Sequence, residues 1–413
     1  MPRAAGLVLP AVCFVVALAS FNAAQQPRPG EQADMTLDAA TRTQVIEGVL
    51  QSLREGYVYP EVAARMEQAI RERAAKKEYE SITSARQLVQ TLTEHLQAVS
   101  RDKHLRVNYR AAVLKDGDIP GGARIVRRAI DGGSGSPAGG AGERRIIREP
   151  GGTAATPAAP VDGAPAVVVR RAGGGMGAAS GNLGLEKVEV LGGNLGLLDF
   201  SMFDGSDEAN AKVSEAMNRL ADTDALIIDL RRCRGGARRT ITLLMSYFFD
   251  KSVHLSSAYD RITDSTHESW SHADVPGRRY GAKDVYILTS NFTFSAAEDI
   301  SYTLKNLNRA TIVGETTGGG AHPVMGRRLN DHFFVMVPFA RYISPVTKTN
   351  WEGTGVEPDI KTPAPHALKV AQLAALKKIS ARKPDAKASA QLKALIETLQ
   401  KEVDELKKES SKS

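Results

Sequence analysis

The spacing of apolar positions changes several times along the chain, and each change marks an element. Over residues 35–100 they recur at helical intervals: Val45, Val49, Leu50 and Leu53 form one stripe, Val62, Met66 and Ile70 a second, Leu88, Leu92 and Leu96 a third. Tyr57-Val-Tyr-Pro60 marks a turn between the first two. The pattern predicts a small bundle of three or four helices, followed by a strand-like run over 105–109.

Residues 116–181 differ in kind. They hold 17 of the chain's 37 glycines and six prolines, with no Phe, Trp or Tyr. Such a stretch cannot bury enough apolar area to offset its ordering entropy, so a disordered insertion is expected, with 166–171 its one candidate strand. Strand and helix patterns resume at 182. Residues 185–191 and 195–200 read as strands joined by a Gly-Gly-Asn turn, 207–221 as an amphipathic helix, and Ala225-Leu-Ile-Ile-Asp229 as a buried strand. A helix over 240–249 follows. Then come a strand over 285–288, a helix beginning at Ser295, a strand over 310–313 and another over 333–338. Strands alternating with helices over 182–371 predict an α/β core.

Two ends complete the pattern. Residues 1–24 have the form of a signal peptide: Arg3, an apolar stretch and small residues at the cleavage site. The apolar run is too short and interrupted for a spanning helix, so a periplasmic or secreted protein without an integral membrane span after cleavage is expected. In the Lys/Glu-rich tail over 380–413, Leu392, Ile396, Leu399, Val403 and Leu406 follow a coiled-coil spacing. A solvated terminal helix and a helix joining a homo-oligomer both fit.

Composition narrows the class. Hydrophobic and charged fractions of 42% and 24% suit a soluble globular chain, and the net charge of +7 reads as solvated surface, with no nucleic acid expected as partner. Signal cleavage would leave Cys233 as the one cysteine, hence no internal disulfide. No histidine pair has ligand spacing on one helix and no Cys pair exists, so neither a metal nor a cofactor is expected.

The candidate chemistry centres on Ser295. Ser295-Ala-Ala-Glu298 is an S-x-x-E capping box. The same serine, at a strand-to-helix turn, could be a nucleophile whose oxyanion is held by the N–H of Ala296. A second source of donors is Gly235-Gly236, just after the strand ending at Asp229. A general base could be His104 or His322, and Glu352 and Glu357 are carboxylates able to orient it.

Four motifs in order, Asp229-Leu-Arg-x-x-x-Gly-Gly236, Thr293-Phe-Ser-Ala-Ala-Glu298, Arg309-Ala-Thr-Ile-Val-Gly-Glu-Thr-Thr317 and Gly355-Val-Glu-Pro-Asp359, resemble those of the tail-specific (C-terminal-processing) serine proteases. The bundle and Asp-Lys-His104 resemble the branch containing the tricorn protease core and the interphotoreceptor retinoid-binding modules. The resemblance implies a crotonase/Clp-like ββα layer behind a helical domain. It also implies a serine endopeptidase acting on peptides or proteins, with Ser295 as nucleophile, His104 as base, Glu352 supporting the base, and Gly235 or Gly236 with Ala296 as oxyanion hole. Residues 316–321 hold no lysine, so the Ser–Lys dyad of the larger branch is not available. Lys103 stands where the tricorn-like pattern has a serine, Cys233 where an asparagine is usual, and no PDZ-like domain is evident. A non-catalytic module binding apolar ligands or peptides on the same fold is the alternative.

Overall fold

The computed structural model describes residues 33–115, 117–119, 181–382 and 386–410. The expected signal peptide, nearly all of the glycine-rich insertion and its candidate strand lie outside them.

Three helices open the described chain: α1 (Ala39–Gly56), α2 (Pro60–Ala75) and α3 (Ala85–Ser100). Each has a local reason to start. Asp38 and Ser84 accept N–H bonds from Thr41 and Gln87, and Pro60 occupies the first turn of α2, where no N–H is missed. Arg101 ends α3 in the left-handed region at φ 58°. Asp102, Lys103 and His104 follow at once, leading into β1 (Arg106–Tyr109).

The core elements are β2 (Leu185–Leu191), β3 (Leu195–Phe200), α4 (Asp207–Arg219), β4 (Ala225–Asp229), α5 (Arg238–Ser246), β5 (His254–Asp260), β6 (Ser265–Trp270), β7 (Asp284–Thr289) and α6 (Ala296–Asn306). They continue as β8 (Thr311–Gly314), β9 (Val324–Arg328), β10 (Phe333–Pro338), β11 (Ala340–Ile343), β12 (Ile360–Lys361), α7 (Ala367–Arg382) and α8 (Ala386–Ser410). The central sheet has the order β12-β8-β7-β4-β3-β2, parallel except for the β2–β3 hairpin.

Why β4 is an unbroken apolar run follows from its surroundings. Leu226 and Ile228 pack with α4, α5 and α6 on one face, while Ala225 and Ile227 pack with α7 and α8 on the other. A parallel strand buried on both faces needs no polar alternation. Leu399 and Val403 are buried in the second layer, with Leu392 and Ile396 packed against it. The seam of the terminal helix is therefore used within the chain.

A second sheet, β1-β10-β9, is antiparallel and carries α1–α3 on one face, where Val107, Phe333, Val335 and Val337 meet the helical stripes. The helical domain thus borrows two strands from beyond α6. That crossover brings residues 102–104 to the core. A third sheet, β11-β5-β6, was not foreseen. Its hairpin strands are half-exposed and rich in Ser, His and Glu, which hides strand periodicity.

Arg238, at the start of α5, ties the α4–α6 layer to this third sheet. Its guanidinium pairs with the buried Asp299 of α6, donates to Ser256 Oγ of β5 and lies 4.4 Å from the Tyr342 ring centroid on β11. Arg238→Ala would leave Asp299 as an uncompensated buried charge and is expected to cost about 3–5 kcal/mol. In urea unfolding, the double variant Arg238→Met/Asp299→Leu should lose markedly less; an equal loss would mean packing, not charge, sets the cost.

Candidate active site

β7 ends at Thr289, and the chain turns through Ser290–Phe294 into α6. This turn is tied to the loop after β4. Thr293 Oγ1 donates to Leu230 O at 2.8 Å, Ser290 Oγ to Arg231 O at 2.6 Å, and Phe294 N–H to Cys233 O at 3.2 Å. Ser295 sits half-buried at the head of α6 with φ 56° and ψ −121°. For a residue with a Cβ this is a sparsely populated conformation costing about 1–3 kcal/mol, held only where its surroundings over-determine it.

Glu298 supplies much of that restraint. Its fully buried carboxylate accepts the N–H of Ser295 at 2.9 Å, of Gly319 at 2.6 Å and of Gly320 at 2.8 Å, and the Thr317 hydroxyl. Burial raises its pKa above the ordinary carboxylate value, against the pull of these bonds. The glutamate half of the capping box is present, and the same group also fixes the loop over 317–320.

Of the two glycines after β4, Gly235 presses against this turn and Gly236 against Phe203. A Cβ on Gly235 (φ 100°) would lie 2.8 Å from Ala296 N and 2.8 Å from Ser295 Cβ. One on Gly236 (φ 135°) would lie 2.2 Å from Phe203 O. Among the described residues, the N–H groups of Gly235, Gly236 and Ala296 donate to no protein acceptor. Cys233, buried beside them, has its thiol pushed up to about 12 by burial and is no nucleophile.

His104 approaches from the other side. Its ring stacks on Phe294 with centroids 4.6 Å apart, and its backbone N–H donates to Asp102 Oδ1 at 3.0 Å. Burial pushes its pKa down to about 4, so the imidazole is neutral at pH 7; Nδ1 is buried without a partner. Neighbouring Lys103 donates to Gly318 O at 2.6 Å, pinning the segment to the same loop.

Glu352 does not hydrogen-bond His104. Its Oε2 accepts the N–H groups of Ala321 and His322, and Oε1 is unpartnered. Burial and the charge of Asp102 push its pKa up to about 7. Glu357 lies at the surface, paired with Lys361. The group that meets a carboxylate is His322: its Nδ1 lies 2.7 Å from Asp102 Oδ2 and 3.5 Å from Glu352 Oε2. Burial alone would lower the His322 pKa, but the hydrogen bond and charge of Asp102, with Glu352, raise it. Asp102, His322 and Glu352 are also the group among the described residues with ligand atoms close enough to hold a metal. The 2.7 Å separation is that of a charge-assisted hydrogen bond, and Glu352 Oε2 already serves two N–H groups.

The sequence offers His322 as an alternative general base and gives Asp102 no role. The D-x-H spacing, with Asp102 accepting the N–H two residues on, is the local signal that could have drawn attention to it.

Residues 194–362 match Peptidase family S41, and residues 35–123 match the N-terminal domain of Peptidase_S41 in eukaryotic IRBP. The chain thus carries a Peptidase family S41 domain preceded by that N-terminal domain. Among solved structures, a candidate peptidase from Parabacteroides merdae is 15% identical, with 84% of this S41 chain and 98% of that chain covered and a TM-score of 0.50. The photosystem II D1 C-terminal processing protease is 22% identical over 43% of this chain and 45% of that one (TM-score 0.35), and mature CPAF 16% identical over 44% and 51% (TM-score 0.36). The S41 chain thus spans about half the length of those two proteases. The fold, a mixed α/β core behind a helical region, is shared with the Parabacteroides merdae structure, and the S41 domain match supports a peptidase.

The Glu352 carboxyl keeps its proton to about pH 7 when folded, against 4.5 for the ordinary group. Its contribution to stability is therefore full below about pH 4.5 and lost as pH rises through 7. Across that window the melting temperature of the wild type should fall more steeply than that of Glu352→Gln. Parallel curves would show that Glu352 is ionised throughout.

Proposed function

We propose that this S41 chain is an exported serine endopeptidase in which Ser295 attacks the scissile carbonyl. The observation that carries the reading is the strained backbone of Ser295 at a strand-to-helix turn, beside three unpaired N–H groups. A hydroxyl held on such a turn is exposed to a substrate while the helix start and nearby amides face the developing oxyanion.

His104 takes the Ser295 proton as the oxygen–carbon bond forms. The N–H of Ala296 and that of Gly235 or Gly236 then stabilise the tetrahedral oxyanion. The protonated imidazole gives its proton to the leaving amine, and the acyl-enzyme is released by water with His104 again as base. Glu352 supports this base indirectly, through the Asp102–His322 pair, because its own oxygens do not bond the imidazole. Peptides or proteins are the substrates, and cleavage near C-termini follows from the motif resemblance. No helix among the described residues is long and apolar enough to cross a membrane; export rests on the leader-like residues 1–24.

One observation favours the alternative, a non-catalytic module holding peptides or apolar ligands: His104 Nδ1 has no partner to fix its tautomer. A fluorophosphonate probe separates the two readings. Wild type should be labelled and Ser295→Ala should not, with His104→Ala slowed by at least about 100-fold. Equal labelling of wild type and Ser295→Ala would end the nucleophile assignment. Gly235→Ala, whose Cβ would crowd Ala296 N and Phe294 O at a φ that disfavours a side chain, should lower kcat by about 100-fold or more and lower the melting temperature as well.

A further inference from the structure

We infer that His322 is a positioning residue for His104, acting through the Asp102 carboxylate that both residues bind. The inference rests on His104 being the base proposed above.

Asp102 is buried and its two oxygens face different segments. Oδ1 accepts the backbone N–H of His104 at 3.0 Å, while Oδ2 meets His322 Nδ1 at 2.7 Å and the Tyr57 hydroxyl at 3.3 Å. Any turn of the carboxylate that loses His322 therefore also disturbs the start of the His104 segment. His322 is itself fixed: its N–H donates to Glu352 Oε2 at 3.1 Å and its ring meets the Tyr59 edge at 5.6 Å. Its loop is held at the other end by Glu298, which also binds the Ser295 N–H. Hydrogen bonds and a short run of backbone thus join nucleophile and base across 191 positions of sequence; His322 closes the link that passes through Asp102, beside the one Lys103 makes to Gly318 O.

Charge explains why a histidine is needed there. His322 Nδ1 stands between Asp102 and Glu352, and the other groups facing this cluster are Tyr57, Tyr59, His104 and Arg341. With an apolar side chain at 322, two buried carboxylates would face each other with no N–H between them. One would protonate or rotate, and the His104 segment would move with it. Nε2 of His322 is buried and unpartnered, so Nδ1 is the ring nitrogen that makes a hydrogen bond. The Nδ1–H bond is thus the contact that its position secures.

The test compares His322→Leu, which keeps volume, with His322→Asn, whose amide can replace the Nδ1–H donor. In both, the His104 imidazole is titrated by NMR with labelled histidine, a readout that needs no turnover, and peptide hydrolysis is measured beside it. In His322→Leu we expect the His104 midpoint to shift by at least about half a unit. We also expect kcat to fall by about 10- to 100-fold with KM little changed. His322→Asn should restore both. If His322→Leu does not fold, His322→Gln takes its place. An unmoved His104 titration in the folded variant overturns the positioning role. Failure of the wild type to react with the fluorophosphonate probe would instead count against the peptidase reading, and the titration would still decide this one.

Discussion

A buried carboxylate has to be matched by donors, and in this fold that requirement falls on Glu298. The side chain is fully shielded, so every lone pair left unmatched would carry a desolvation penalty. Its donors come from two places, the turn holding Ser295 and the loop over 317–320. Neither can relax without stranding the carboxylate. The unfavourable backbone angles of Ser295 are thus stabilised by an interaction formed mostly elsewhere, on a loop whose Gly319 and Gly320 sit where a Cβ would meet residues 353–355 and the rings of Phe294 and His104.

Parallel strands explain why the remaining parts gather here. β4 and β7 run side by side and end together, so the loops leaving them emerge at one edge of the sheet, the usual place for a site in an α/β layer. One loop brings Gly235 and Gly236, the other Ser295. The helical domain adds His104 from outside the layer, which it can do because β1 pairs with β10. Three segments distant in sequence thereby share one small volume: Phe294 N–H donates to Cys233 O between the first two, and the third is held by Lys103 on Gly318 O and by the His104 ring against Phe294.

The elements that could be read from sequence are those whose environment imposes a simple period. The stripes of α1–α3, the doubly buried run of β4, the turn between β2 and β3 and the helix start at Ser295 all follow from local rules. What was hidden depends on partners far away. The β5–β6 hairpin is too polar on its exposed face to show alternation. The pairing of Asp102 with His322 spans 220 positions and has no local signature on the histidine side. Glu352 was singled out over Glu357, and the two lie in different surroundings, one beside the histidine cluster and one in solvent. Its bonds go to the loop amides and not to His104, because the loop over 321–322 lies against its carboxylate. Ser295-Ala-Ala-Glu298 shows the limit most clearly: four residues suggested a helix cap, while the glutamate's three other donors come from nineteen to twenty-two residues further on.

The exchange of strands between the two regions has a practical consequence. Because β10 is hydrogen-bonded to β1 on one side and its inward residues Phe333, Val335 and Val337 are roofed by α1–α3, the α/β half is no self-sufficient fragment. A recombinant piece starting after the glycine-rich stretch would present a raw strand edge and three bare apolar side chains to water, an invitation to aggregate. Anyone trimming this protein for crystals or screening must carry the leading helices along.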